Sequence, residues 1–205
     1  FIPILDDIGW NKSEAVTANT VVIRANQEAE IDGKKPYADA RVRRALAMAI
    51  DNSVLLELGF AGNGRVAENH HVSPIHPEYA ELKRTILPGS TFWNDWLKYP
   101  LSSTDWAQRP LGVQVLALAY RSGEAWNETA FSNAEFDSLL SDALAIADAD
   151  QRREVMAKIE KIMQDEGVIV QPYWRSIYRH HKPEVIGAEM HPTFEIHVAK
   201  LGYAA

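Results

Sequence analysis

The sequence contains no cysteine among its 205 residues, which excludes disulfides, cysteine-based zinc sites and thiol nucleophiles. It has no run approaching the roughly 20 consecutive apolar residues that a membrane-spanning helix needs. It also lacks an excess of basic residues: the net charge of -7 argues against a nucleic-acid partner, whose phosphates require a basic surface. With 46% apolar and 24% charged residues, the composition is that of a globular chain with a substantial core.

Signatures of catalysis and of cofactor binding are absent as well. The sequence has no Gly-x-Ser-x-Gly, no phosphate-binding glycine loop and no dinucleotide fingerprint. It has seven histidines but no His-Glu-x-x-His, and adjacent histidines in an extended segment, such as His70 and His71, point to opposite faces. We therefore expect neither a bound metal nor a cofactor.

The clearest local signal is a strand followed by a capped helix. Residues 20–26 read as a strand ending at Asn26, and Asp39 is a good N-cap for the helix that follows. The apolar stripe of this helix, at three- and four-residue spacing, comprises Val42, Leu46 or Ala45, Ala49 and Ile50. The arginines off that stripe are expected to face solvent or a neighbouring carboxylate; they are Arg41, Arg43 and Arg44.

Helices and extended runs continue to the C-terminal part of the chain. Residues 113–120 are predicted as a strand, and Asn133 and Asp148 as the caps of two amphipathic helices, the second ending at Gly167. Extended runs then cover residues 168–174 and 176–179. Strands alternating with helices predict an α/β layer architecture.

Two passages carry a family resemblance. Residues 36–51 read Pro-Tyr-Ala-Asp-Ala-Arg-Val-Arg-Arg-Ala-Leu-Ala-Met-Ala-Ile-Asp, and residues 133–139 read Asn-Ala-Glu-Phe-Asp-Ser-Leu. In this wording the chain resembles the extracytoplasmic solute-binding proteins of the peptide/nickel ABC-transporter family, bacterial solute-binding protein family 5, mainly their C-terminal lobe. The resemblance implies an α/β fold, a periplasmic-binding-protein-like (class II) lobe with a mixed sheet flanked by helices.

The resemblance also implies a domain organisation. Residues 1–19 would be associated with the N-terminal lobe, residues 20–178 would form the C-terminal lobe, and residues 179–205 would return toward the N-terminal lobe. Family members carry tens of residues between the landmarks that meet here at Leu82 and Lys83, so we expect residues to be absent at that junction. The chain begins with Phe1 and shows no signal peptide, so its natural start is expected upstream.

The loop after residue 120 is the main candidate for ligand binding. Glu124 falls at the position where the resembled peptide binders place an Asp that holds the ligand's α-amino group, and the departure from their Gly-Asp-Pro wording puts a dipeptide in doubt. Carboxylate, guanidinium, amide and indole groups within one loop suit an oriented polar solute. The segment before residue 113 offers a second wall. The predicted ligand-binding residues are Glu124, Trp126, Asn127, Arg121, Tyr120, Trp106 and Arg109.

The resemblance implies the substrate-binding component of an ABC importer. Such a protein is a monomer that captures a small polar solute (peptide, opine or sugar-like), outside the cytoplasm or in the periplasm, and delivers it to a membrane permease. It is not an enzyme and binds no nucleic acid. Two alternatives stay open: a glycoside hydrolase-like enzyme that uses Glu124 and Glu128 as an acidic pair, and a structural lobe without a ligand.

Overall fold

The computed structural model describes residues 1–80 and 100–204. In these residues the α-helices are α1 (Ile2–Asp7), α2 (Ala40–Met48), α3 (Asn52–Phe60), α4 (Gly112–Ala119), α5 (Ala134–Ala145) and α6 (Ala149–Glu166). The strands are β1 (Asn11–Ala25), β2 (Gly64–Val66), β3 (Leu101–Trp106), β4 (Ile169–Val170), β5 (Tyr173–His181), β6 (Val185–Ile186) and β7 (Gly202–Tyr203). None of the described helices is long and apolar enough to cross a membrane.

The sheet is organised around the long strand β1. It pairs with β3 on one side and with β5 on the other, β2 extends the sheet beyond β5, and β4 also pairs with β1. Thr20 lies opposite both Trp106 of β3 and Trp174 of β5. The α/β class predicted from the sequence is confirmed, and the pairings that the structure describes are antiparallel. A parallel component of the predicted mixed sheet is not among them.

The main core lies between the sheet and the helices α4, α5 and α6. Buried side chains of the three helices meet strand residues such as Val22, Trp106 and Ile169. The α5 stripe buries Phe136, Leu140 and Ala143, and α6 adds Met156, Ile159 and Met163. These helices present their apolar faces to the sheet, as their sequence periodicity predicts.

The predicted helix caps are confirmed. The side chain of Asp39 accepts a hydrogen bond from the backbone N–H of Arg41, Asn133 accepts from Phe136, and Asp148 accepts from Gln151. Gly167 ends α6 in the left-handed conformation, with φ of 59°. Local polar groups at helix ends are therefore sufficient to fix these boundaries.

The predicted strand over residues 113–120 is wrong, because this segment forms α4. Its exposed positions, Gln114 and Leu118, lie four residues apart, whereas the rest of the short run is mostly buried. The first turn receives a distant partner: the backbone N–H of Val113 donates to Glu78 Oε1 at 3.1 Å. A carboxylate at a helix N-terminus stabilises the helix, and this contact is invisible in the local sequence.

Of the two environments predicted for the α2 arginines, solvent or a neighbouring carboxylate, Arg43 has the second, and it is only 3% exposed. Its guanidinium donates to the backbone carbonyls of Tyr37 and Ala38 and to the Glu166 side chain. The buried face of α2 is therefore formed by Arg43 and Ala47, and Val42 is exposed instead. Burial is tolerated because the charged group has a carboxylate and carbonyl partners.

The predicted junction at Leu82 and Lys83 lies outside the described residues.

Candidate ligand-binding site

The loop that follows α4 is held in shape by Asn127. Its Nδ2 donates to the carbonyls of Arg121 at 3.0 Å and Phe131 at 2.8 Å, and its Oδ1 accepts from the Thr129 hydroxyl at 2.8 Å. The loop is also joined to the end of β1, since the Gln27 N–H donates to the Thr129 carbonyl. Asn127 was predicted as a ligand contact, but its side-chain amide forms hydrogen bonds that position the loop.

This loop and β3 enclose an open pocket of about 340 Å³. The volume is within the range of small-molecule sites. Its lining residues are Thr104, Asp105, Trp106, Ala107, Arg109, Trp126 and Glu128. Three predicted site residues, Trp106, Arg109 and Trp126, therefore lie at one pocket although they are up to twenty positions apart in sequence.

Two tryptophans form the aromatic wall of the pocket. The rings of Trp106 and Trp126 meet edge to face, with centroids 6.0 Å apart and an interplanar angle of 68°. Trp106 is anchored in the core, where its ring also meets that of His71 edge to face at 5.5 Å. Trp126 is 48% exposed. One fixed and one accessible indole offer a flat apolar surface to a ring or to an aliphatic chain.

The polar side chains of the pocket differ in the protein groups that they bind. Asp105 is held by a two-pronged ion pair with Arg175, at 2.8 and 2.9 Å. Arg109 directs Nη1 to the backbone carbonyls of Ala107 and Gln108, both at 3.1 Å, and has no described carboxylate partner. Arg109 is therefore the residue best suited to bind a carboxylate of a ligand by two parallel hydrogen bonds.

A buried ion pair forms the floor beneath the tryptophans. The guanidinium of Arg24 on β1 pairs with the carboxylate of Glu128, and the Thr104 hydroxyl donates to the same carboxylate at 2.9 Å. Both charged side chains are almost fully buried. Burial lowers the pKa of Arg24, which nonetheless stays protonated opposite a carboxylate.

Tyr120 lies behind the aromatic wall. It is 3% exposed, and its hydroxyl is 2.7 Å from Nδ1 of His71. Burial raises the pKa of Tyr120 and lowers that of His71 to about 3, so both groups are neutral at physiological pH. Tyr120 lines a narrow cleft below Trp106 rather than the open pocket.

The remaining predicted residues lie at the outside of the loop. Glu124 is exposed and Arg121 is half-buried, and neither lines the open pocket. The pocket residues that were not among the predicted ligand-binding residues are Thr104, Asp105, Ala107 and Glu128. The two-residue alternation of β3 could have indicated Thr104, because Thr104 and Trp106 share one face of that strand.

Comparison with known proteins finds one family model that matches part of the chain. The sequence model of bacterial extracellular solute-binding proteins, family 5 (Middle), matches residues 3–86. The matched part of the chain is thus similar to solute-binding protein family 5. The family resemblance predicted from the sequence is confirmed. No curated relative matches the chain.

Several solved structures share the fold of this chain. HbpA2 from Haemophilus parasuis superposes with a TM-score of 0.83 at 15% identity, covering 100% of this chain and 52% of that one. The murein tripeptide binding protein MppA from Escherichia coli gives 0.72 at 15% identity, with coverages of 100% and 52%. The oligopeptide-binding protein AppA from Bacillus subtilis, in complex with a nonapeptide, gives 0.71 at 16% identity, with coverages of 96% and 53%.

The matched share of each known structure limits what the similarity establishes. The chain spans about half the length of the similar structures, and the identities are low, so the likeness shows the fold. AppA and MppA are peptide-binding proteins.

Proposed function

We propose that the protein containing this chain is the substrate-binding component of an ABC importer and that the pocket beside Trp126 contacts the solute. The solute class is a small polar molecule with an apolar or ring-bearing part and a carboxylate, for which a short peptide is the simplest example. The observation that supports this most is the combination of an exposed indole on a fixed indole with an arginine that has no described carboxylate partner.

The family and the peptide-binding relatives support the same proposal. Peptides are the ligands named for MppA and AppA, and the family is described as extracellular. By extension, this protein would capture a peptide-like solute in the periplasm or elsewhere outside the cytoplasm. It would then deliver the solute to a membrane permease. The protein would act as a monomer, without nucleic acid.

The hydrolase alternative is disfavoured by the surroundings of its proposed acidic pair. Glu128 is buried and its charge is engaged by Arg24 and Thr104, whereas Glu124 is exposed on the outer part of the loop. A general acid needs a raised pKa and a reacting atom within hydrogen-bond reach. A carboxylate paired with a buried guanidinium is instead held in its ionised form.

Native mass spectrometry with a mixture of tripeptides to nonapeptides tests the proposal. The wild-type protein is expected to retain peptide, and Trp126→Ala to lose most of it because the accessible face of the aromatic wall is removed. Glu124→Gln tests the contact expected from the loop and should cause a smaller loss. Trp10→Ala is the matched control, because Trp10 is also a partly exposed tryptophan but does not line the pocket. Equal retention by Trp126→Ala and Trp10→Ala would contradict the proposed site.

A further inference from the structure

A second cluster of polar side chains lies outside the pocket, in the segment between β6 and β7. It consists of His191, Glu195 and His197, each of which offers one ligand atom, and these three atoms all lie within 4.8 Å of one another. Among the described residues this is the group of histidine and acidic side chains with that geometry. Its spacing in the sequence, His-x-x-x-Glu-x-His, differs from His-Glu-x-x-His and does not involve adjacent histidines.

The distances within the cluster are close to those of a metal site. Nδ1 of His191 is 3.9 Å from Oε1 of Glu195, and Nε2 of His197 is 3.8 Å from Oε2 of the same carboxylate. Ligand bonds of about 2.0 to 2.2 Å in a tetrahedral zinc site place ligand atoms about 3.3 Å apart. Rotations of three exposed or half-buried side chains are sufficient to close that difference.

The two imidazoles already face a common space. The His191 and His197 rings stand edge to face with centroids 5.5 Å apart. The hydroxyl of Thr193 lies between the side chains, 2.8 Å from Nδ1 of His191, and donates to Oε1 of Glu195 at 2.9 Å. This hydroxyl links an imidazole to the carboxylate, and a bound cation would join the same two side chains by direct bonds.

The backbone that carries the cluster is tied to the sheet. Arg179 of β5 donates from Nη1 to the Glu189 carbonyl at 2.7 Å and from Nη2 to the Glu195 carbonyl at 3.0 Å. The Met190 N–H donates to the Ser13 hydroxyl on β1 at 2.7 Å, and Gln108 donates to the Pro192 carbonyl. These anchors reduce the ordering that a ligand would have to impose on the segment, which favours binding.

We propose that His191, Glu195 and His197 bind one divalent transition-metal ion of the zinc type. Two imidazoles and one carboxylate are a ligand set that suits zinc and its neighbours in the first transition row, whereas magnesium prefers oxygen ligands and octahedral geometry. Three protein ligands leave a position for water or for a group from another molecule. This site is separate from the pocket beside Trp126 and does not depend on the proposed solute.

The test is calorimetric titration of tag-free, chelator-treated protein with ZnCl2 at pH 7.5. We expect one equivalent of Zn²⁺ to bind, and MgCl2 at the same concentrations to give no binding. His191→Ala and His197→Ala should each weaken Zn²⁺ binding by at least about tenfold, because each removes a direct ligand. His181→Ala is the control: His181 lies on β5 beyond the cluster, with its Nδ1 3.0 Å from the Lys182 carbonyl, and its loss should leave the affinity unchanged.

Circular dichroism of the variants separates ligand loss from unfolding, and Glu195→Gln provides a nearly isosteric change of the third ligand. Weaker Zn²⁺ binding by folded Glu195→Gln would support the proposal. The proposal is overturned if the wild type does not bind Zn²⁺, if folded His191→Ala and His197→Ala bind it as the wild type does, or if His181→Ala loses as much affinity as they do.

Discussion

Arg43 of α2 and Glu166 of α6, 123 positions apart in the sequence, join their two helices: Nη2 of Arg43 donates to Oε2 of Glu166 at 2.8 Å. A second hydrogen bond runs from Arg43 Nε to the Glu166 carbonyl at 3.0 Å, where α6 ends. A buried arginine thereby provides a C-terminal partner for α6 and closes the connection to α2. Arg43 is thus a charged side chain in the interior of the protein.

We expect Arg43→Met to reduce the free energy of unfolding by about 2–3 kcal/mol, because several carbonyls and a carboxylate lose a charged donor in a buried place. Denaturant unfolding monitored by circular dichroism measures this. Arg41→Met is the control, since Arg41 extends into solvent beside Asp39 and its loss should have a much smaller effect. Equal destabilisation by the two variants would contradict the role assigned to Arg43.

Gly167 is expected to tolerate no side chain. It has φ of 59°, and a Cβ built there would lie 2.9 Å from the backbone N of Arg44 and 3.0 Å from the carbonyl carbon of Arg43. Gly167→Ala should cost more than the roughly 1–3 kcal/mol of a left-handed non-glycine residue alone. Gly33→Ala is the matched control: φ is 70° and no atom lies within 4 Å of the added Cβ. Thermal unfolding should show a clearly larger loss of Tm for Gly167→Ala, and equal losses would contradict the close approach of α2.

Removing the Glu128 charge should unfold or strongly destabilise the region beneath the pocket. Glu128→Gln removes the carboxylate that pairs with the buried Arg24 guanidinium, and breaking a buried ion pair costs about 3–5 kcal/mol. The double variant Arg24→Met, Glu128→Leu removes both charges and should recover much of that loss. Denaturant unfolding of the two variants and of Glu124→Gln, an exposed carboxylate of the same loop, measures the difference. If Glu128→Gln is as stable as Glu124→Gln, the buried pair is not a stabilising element of the loop.

Glu160 on α6 predicts a pH dependence of stability. Burial, next to the carboxylates of Glu68 and Glu78, raises the pKa of Glu160 to about 9, and its Oε2 is 3.7 Å from Nδ1 of His70. The native state therefore holds a proton that the unfolded chain releases above its usual pKa of 4.5, so this group's contribution to stability falls as pH rises from 4.5 toward 9.

Glu160→Gln keeps the neutral shape and should remove this dependence. We expect its Tm to exceed that of the wild type by a few degrees at pH 8, on the scale of about 2–4 °C per kcal/mol, and by less at pH 5. Differential scanning calorimetry at the two pH values measures this. A lower Tm for Glu160→Gln at pH 8 would show that Glu160 is ionised and paired in the native state.

The sequence was sufficient where structure depends on neighbours along the chain. Asp39, Asn133 and Asp148 cap the predicted helices, and α5 and α6 each bury part of the predicted apolar stripe. It was insufficient where a distant partner decides the outcome. Glu78 supports the first turn of α4, whose short apolar run is equally compatible with a strand, and Glu166 allows Arg43 to be buried.

The same distinction applies to the site. Aromatic and charged residues before and after α4 could be selected by type, and Trp106, Arg109 and Trp126 do meet at one pocket. Which of their neighbours support the loop and which face the pocket depends on hydrogen bonds that only the folded chain shows. Asn127 and Tyr120 are examples, since both are engaged with protein partners behind the pocket surface.

The most direct test of the proposed solute site removes Arg109 and the ligand's carboxylate, separately and together, and measures the affinity in each case. A peptide retained in native mass spectrometry would be titrated calorimetrically as the free acid and as its C-terminal amide, into wild type and Arg109→Gln. If Arg109 holds the carboxylate, amidation should weaken binding to the wild type by about tenfold or more and should have little effect on Arg109→Gln. Equal effects of amidation on the two proteins would contradict the account of this pocket.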